Sequence, residues 1–109
     1  TDGQARIRDA RVLVVGAGGL GSPVIQYLAT AGVGTIGIVD GDRVDTTNLQ
    51  RQVIFSGSDV GLKKPEAARV RVREVNPHVD VVPISSWFDA GNARDVAGGF
   101  HLLIDASDN

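Results

Sequence analysis

Residues 16–21 read Gly-Ala-Gly-Gly-Leu-Gly, directly after the apolar run Val12-Leu13-Val14-Val15 and directly before an apolar-periodic segment. Glycines in that setting have distinct jobs. Gly16 permits a tight turn, and Gly18, with Gly19 beside it, lets the backbone come close to a phosphate. Gly21 lets the following helix pack closely on the preceding strand. The N-terminus of that helix adds partial positive charge, so the expected ligand of the loop is an anion. About twenty residues past the loop, Asp40 ends the next apolar run, where a carboxylate can accept hydrogen bonds from ribose hydroxyls. Asp42 and Asp45 stand close by, and position favours Asp40 over both.

The next segment narrows the chemistry. Residues 48–52 read Asn-Leu-Gln-Arg-Gln, and Lys63 and Lys64 follow. A hydride-transferring enzyme has no need of an amide and cations just past the ribose position. An enzyme that handles a triphosphate must offset charge developing on the phosphates, and Arg and Lys do this. Taken singly, each lysine reads as an ordinary surface charge. Asp105 and Asp108 are expected at the carboxyl end of a strand, the edge where open α/β sheets bind ligands. A carboxylate there suits Mg²⁺, which takes one or two protein carboxylates with phosphate oxygens and waters. His78 and His101 lack metal-pair spacing and read as structural. Trp87 and Phe88 read as filling a gap over the sheet rather than as a base-stacking platform.

Positioning these residues requires a particular order of elements. Residues 11–15 have the length and β-branched content of a buried parallel strand. Residues 20–31 carry apolar side chains at Val24, Leu28 and Ala31, with Ile25 and Ala29 beside them, which is helical spacing. Pro23 is tolerated in the first turn, and Gly32 and Gly34 end the helix. Residues 35–39 form a second strand that closes on Asp40. Strand, glycine turn, helix and strand make a right-handed βαβ unit. Residues 41–62 read as a long irregular stretch, and such loops are usually functional or mobile. A second helix is bracketed by Pro65 and Pro77, with Ala68, Val72 and Val75 on its apolar face. A third strand over 79–84, a short polar helix or turn over 89–99 and a fourth strand over 101–105 follow. The expected fold is α/β, Rossmann-like, with a mainly parallel sheet.

The bulk properties remove several classes. A length of 109 residues argues for one domain. Residues 102–109 read as a strand running into a loop, so the chain is expected to be the N-terminal portion of a larger protein. Lys plus Arg is 11 and Asp plus Glu is 13, for a net charge of −2, which gives no electrostatic footprint for nucleic acid. The absence of cysteine removes disulfides and thiolate metal sites from this stretch. No apolar run approaches the roughly 20 residues that cross a bilayer, and no signal peptide is visible. No membrane association and a cytoplasmic location are therefore expected.

Together the motifs resemble those of the ThiF/MoeB/HesA adenylyltransferases, relatives of the ubiquitin-activating enzymes. The matching stretches are residues 14–22, 27–34, 39–45, 48–52, 60–64, 74–78 and 105–109, nearly the whole chain in order. The Asn-Leu-Gln-Arg-Gln element is far more specific than the glycine loop. The Asn-Pro-His element at 76–78 brings the chain nearest to the molybdopterin-synthase adenylyltransferase branch. The resemblance implies that the glycine loop holds ATP and Asp40 the ribose, with Asp42 nearby. It implies that Asn48, Arg51 and Lys64 contact phosphates and that Asp108 supports Mg²⁺ and the reacting α-phosphate; Lys63 fits the lysine position less well. The implied reaction is adenylation of the C-terminal glycine of a ubiquitin-like sulfur carrier of MoaD or ThiS type, in molybdenum-cofactor or thiamine biosynthesis, by an enzyme that is a homodimer when complete. A zinc site with Cys-x-x-Cys ligands is implied beyond residue 109. An N-terminal arginine found in relatives has no clear counterpart, because Arg6 and Arg8 lie close to the first strand.

Two other readings use the same opening unit. An NAD-dependent dehydrogenase shares the glycine loop and Asp40 but would not call for Asn48, Arg51 and Lys64 together. A catalytically inactive partner subunit of an activating enzyme has no need to retain Asp40, Arg51, Lys64 and Asp108.

Overall fold

In the computed structural model, residues 7–18, 21–42, 44, 57–89 and 91–106 are described. The run of β-branched residues after Arg11 forms strand β1 (Arg11–Val15), and Gly21–Ala31 forms helix α1. Strand β2 (Thr35–Val39), a 3₁₀ turn (Gly57–Asp59), helix α2 (Lys64–Val75), strand β3 (Asp80–Ile84), helix α3 (Ala93–Ala97) and strand β4 (Leu102–Asp105) follow. All strand pairs are parallel, in the order β3–β2–β1–β4. The chain therefore winds outward from β1 in one direction as far as β3, then returns past β1 to β4. That reversal is the kind of point at which open α/β sheets form a crevice at their carboxyl edge.

Strand alternation divides the core in two. Val12, Val14, Ile36 and Ile38 face one way and pack with Ile25 and Ala29 of α1 and Ala67, Ala68 and Val72 of α2. Leu13, Val15 and Val39 face the other way, against Ile84, Phe88, Val96, Ala97 and Phe100. Gly37 makes room on that second face, because a Cβ there would run into the Phe100 ring.

Both helices turn their apolar faces slightly differently from the sequence expectation. In α1 the buried line is Ser22, Ile25 and Ala29, while Val24 and Leu28 are partly buried and Ala31 is exposed. In α2 Ala68 and Val72 are buried as expected, but Val75 is exposed. Close docking explains the shift in α1. Gly21 rests on Gly16, where an added Cβ would strike the Gly16 carbonyl, so the face that continues through Ile25 and Ala29, four and eight residues on, turns toward the sheet.

The polar elements are anchored with equal specificity. Asn76 ends α2; its Nδ2 donates to the Ala29 carbonyl of α1 at 3.1 Å, and its Oδ1 accepts from the His78 N–H at 3.1 Å. His101 stands at the entrance of β4, where its Nδ1 accepts from the Arg11 N–H at 3.2 Å. The structural reading of His101 agrees with the contact of its ring, and His78 joins the turn through its backbone N–H. Val44 donates to Leu62 and accepts from Gly61, each at 2.8 Å, and the Lys64 N–H donates to the Asp42 carbonyl at 2.9 Å. These bonds join the start of the long irregular stretch to its end. Asp59, 2% exposed, is paired with Arg71 of α2 at 3.1 Å, which ties the 3₁₀ turn to the helix.

Candidate functional site

At the carboxyl ends of β1, β2 and β4 the strands stop together. Gly16 donates to the Val39 carbonyl at 2.8 Å, Ala106 to that of Val15 at 2.8 Å and Asp40 to that of Ile84 at 3.2 Å. The chain then diverges above this edge and leaves a cleft of about 490 Å³. That volume lies within the range of small-molecule sites.

The glycine loop forms the cleft's floor. Gly16 has φ 97°, a left-handed conformation natural to glycine, and this turns the chain from β1 toward α1. The Ser22 N–H donates to the Gly18 carbonyl at 2.9 Å, which starts the helix, and the Ser22 hydroxyl donates to Ala17 at 3.2 Å. Gly16 and Gly18 line the cleft, and Gly21 lies buried beneath it. The N-terminal end of an 11-residue helix thus points its partial positive charge at this end of the cleft.

Asp40 holds this loop in place. It is 8% exposed, its Oδ2 accepts from the Ala17 N–H at 2.8 Å and its Oδ1 accepts from the Asp42 N–H at 2.8 Å. Each carboxylate oxygen has a second lone pair, so the residue can fix the loop and still accept from a ligand hydroxyl. The sequence pattern points to the carboxylate but not to its bond with the glycine loop. That bond depends on β1 and β2 ending side by side.

Lys64 supplies the positive charge. It opens α2 and is 5% exposed, and its Nζ sits 3.8 Å from Asp42 Oδ2 at the cleft. Lys63 is exposed, whereas Lys64 lines the cleft. A nearly buried ammonium whose carboxylate partner among the described residues, Asp42, is largely exposed is well suited to exchange that partner for a phosphate oxygen.

The remaining walls come from β4 and from the segment after β3. Asp105 and Ala106 line one side, and Trp87 and Phe88 another. The sequence reading of two gap-filling aromatics holds for Phe88, which packs on the Leu13, Val15 and Val39 cluster. It does not hold for Trp87, which is 62% exposed at the cleft. In an extended segment neighbouring side chains point opposite ways, and this signal could have separated the two.

The cleft thus gathers Gly16, Gly18, Asp40, Asp42, Lys64 and Asp105. Gly19, Asn48, Arg51 and Asp108 lie outside the described residues, as does Asp45. Among the described residues no group of three or more His, Cys, Asp or Glu could hold a metal ion, and no helix is long and apolar enough to cross a membrane.

An all-parallel sheet in this order, with a glycine turn and an acidic strand end side by side, defines a Rossmann-like α/β protein. This chain belongs to the ThiF family, whose model matches residues 1–109. It is 50% identical over 108 residues to the SAMP-activating enzyme E1 of Haloferax volcanii, covering 99% of this chain and 40% of that protein. It is 51% identical over 108 residues to the probable adenylyltransferase/sulfurtransferase MoeZ of Mycobacterium tuberculosis, covering 99% of this chain and 28% of that protein. Among solved structures it is similar to E. coli tRNA N6-threonylcarbamoyladenosine dehydratase, TcdA, in complex with ATP. There the TM-score is 0.92 at 34% identity, over 99% of this chain and 45% of that one. The chain therefore spans less than half the length of each of these proteins.

Proposed function

We propose that this chain is the nucleotide-binding part of an ATP-dependent adenylyltransferase. Its substrate is the C-terminal glycine carboxylate of a ubiquitin-like sulfur-carrier protein of MoaD or ThiS type. The observation that carries this reading is the cleft itself: the α1 N-terminus, Asp40 and the nearly buried Lys64 converge on one space. Relatives named as an activating enzyme and an adenylyltransferase, and an ATP-bound neighbour, support the same reading.

In this mechanism the glycine loop and the start of α1 receive phosphate oxygens, and Asp40 accepts from the ribose hydroxyls. Lys64 leaves Asp42 for a phosphate and offsets charge as the bond to pyrophosphate breaks. Asn48 and Arg51 add an amide and a guanidinium to the same task. The carrier carboxylate attacks the α-phosphorus, pyrophosphate departs and an acyl-adenylate remains. No nucleophile from this chain is needed, because positioning and charge neutralisation supply the acceleration. Mg²⁺ suits a site with one or two carboxylates, so Asp105 and Asp108 are its candidate holders, and when bound it screens phosphate charge. The zinc site implied by the resemblance requires cysteines, and this sequence contains none. The complete enzyme is taken to work as a homodimer in the cytoplasm.

The test is carrier-dependent exchange of labelled pyrophosphate into ATP by the complete polypeptide, with Mg²⁺, against sulfur carriers ending in Gly-Gly. Exchange with one carrier is expected and would name the carrier. No exchange with any carrier, together with NAD binding, would replace this reading with the dehydrogenase one.

A further inference from the structure

The cleft has a polar end and an aromatic end. Gly16, Gly18 and the start of α1 make up the polar end; Trp87, against Gly41, and Phe88 make up the aromatic one; and Lys64 joins the cleft beside Asp42. Phe88 is committed to the core beneath. Trp87 is not: it is 62% exposed and lies at the cleft.

Two features fix the indole. The first is Gly41, which follows Asp40 directly. A Cβ on Gly41 would fall onto the ring junction of Trp87, so the indole lies against bare backbone at the end of β2. The second is a set of short bonds in the segment that carries it. Asn92 Nδ2 donates to the Trp87 carbonyl at 2.6 Å, and Asn92 Oδ1 accepts from the Asp89 N–H at 2.9 Å. Asp89 Oδ1 in turn accepts from the N–H groups of Gly91 and Asn92, at 2.8 and 3.0 Å. The turn that carries the indole is thus arranged before any ligand arrives, which favours binding.

Distance along the backbone then assigns the ligand group. A nucleotide with its phosphates over the glycine loop and its ribose at Asp40 must direct its base away from the loop. The next residue after Asp40 is Gly41, and Trp87 covers it. We propose that Trp87 is the nucleobase-binding residue of this cleft, stacking its indole on a purine ring. This inference rests on the nucleotide-binding reading given above and adds to it the residue that recognises the base. Stacking accepts any base with a sufficient π-face, so this end of the cleft contributes affinity and position more than hydrogen-bond readout.

The experiment measures binding of ATP and of inorganic tripolyphosphate, without carrier, to the complete polypeptide and its variants. Trp87→Ala is expected to weaken ATP binding roughly 5- to 100-fold and to leave tripolyphosphate binding unchanged. Trp87→Phe should recover most of the loss. Gly41→Ala keeps the tryptophan but places a methyl where the indole lies, and should give the same selective loss. ATP, but not tripolyphosphate, should quench the fluorescence that disappears in Trp87→Phe. Unchanged ATP affinity in Trp87→Ala would overturn the assignment. So would equal losses for ATP and tripolyphosphate, because Trp87 would then only shape the turn. In both cases the wild-type protein still binds ATP and the proposed function stands. If the wild type binds tripolyphosphate and ATP no better than background, the nucleotide reading itself falls, and this inference with it.

Discussion

On one face of the sheet, Val12, Val14, Ile36 and Ile38 lie under two helices of 11 and 12 residues. On the other, among the described residues, Leu13, Val15 and Val39 are covered by Ile84, two phenylalanines and the five-residue α3. Each end of the cleft stands on a different face. The glycine loop and Lys64 hang from the first turns of α1 and α2, on the heavily covered side. Trp87 and Phe88 rise from the lightly covered side. Under the proposed function, the groups that must hold a moving charge in fixed geometry are anchored in the deeper core. The group that only needs to lie flat against a ring stands on the lighter one.

Matched truncations on the two faces test this contrast most strongly. Leu13 and Ile38 are both fully buried, one on each face. Large-to-small changes of this kind lose about 2–5 kcal/mol, and the loss depends on how far the surroundings collapse. Ile38→Ala is expected near the upper end and Leu13→Ala near the lower, measured by urea unfolding. Equal losses would mean that the two faces are equally rigid and would break the comparison. Gly21→Ala comes next. The added methyl meets the Gly16 carbonyl, backbone against backbone, so α1 must lift from β1. Overpacking typically costs about 1–3 kcal/mol, and this site belongs at the top of that range, with ATP affinity falling alongside. An unchanged unfolding midpoint would detach the glycine loop from the heavy face. The smallest effect is expected from Asp42→Ala. Its carboxylate is 56% exposed and 3.8 Å from Lys64, so water screens the pair and can take the carboxylate's place beside the lysine, and a loss of about 1 kcal/mol is expected. A larger drop in urea unfolding would mean that the cleft's charges help hold α2 on the sheet.

Much of the fold was legible because the signals were local. β1 and β2 are short β-branched runs ended by Gly16 and Asp40, and both strands fall where that pattern puts them. Pro65 and Asn76-Pro77 bracket α2 in the same way. The helix faces were less legible. Periodicity finds an apolar stripe but not which edge of it docks, and the contact between Gly21 and Gly16 decided that for α1. Least legible were contacts between distant residues. The pairing of Asp59 with Arg71 joins two charges that read, in one dimension, as solvated surface. The bond from Ala17 to Asp40 needs two strands to end together. Trp87 and Phe88 are neighbours that alternation separates, and the sheet beneath them decides which one turns inward and which stays at the cleft.

The bonds between Val44 and residues 61–62 have a further implication for how this family can diversify. They hold Val44 beside Gly61 and Leu62, independently of the sequence that joins them. Closing a loop twice as long across such a junction adds only about 0.6 kcal/mol. The sheet and both long helices can therefore keep their packing while the length of chain between these points changes, as long as the residues the proposed function needs there, Asn48 and Arg51, are retained.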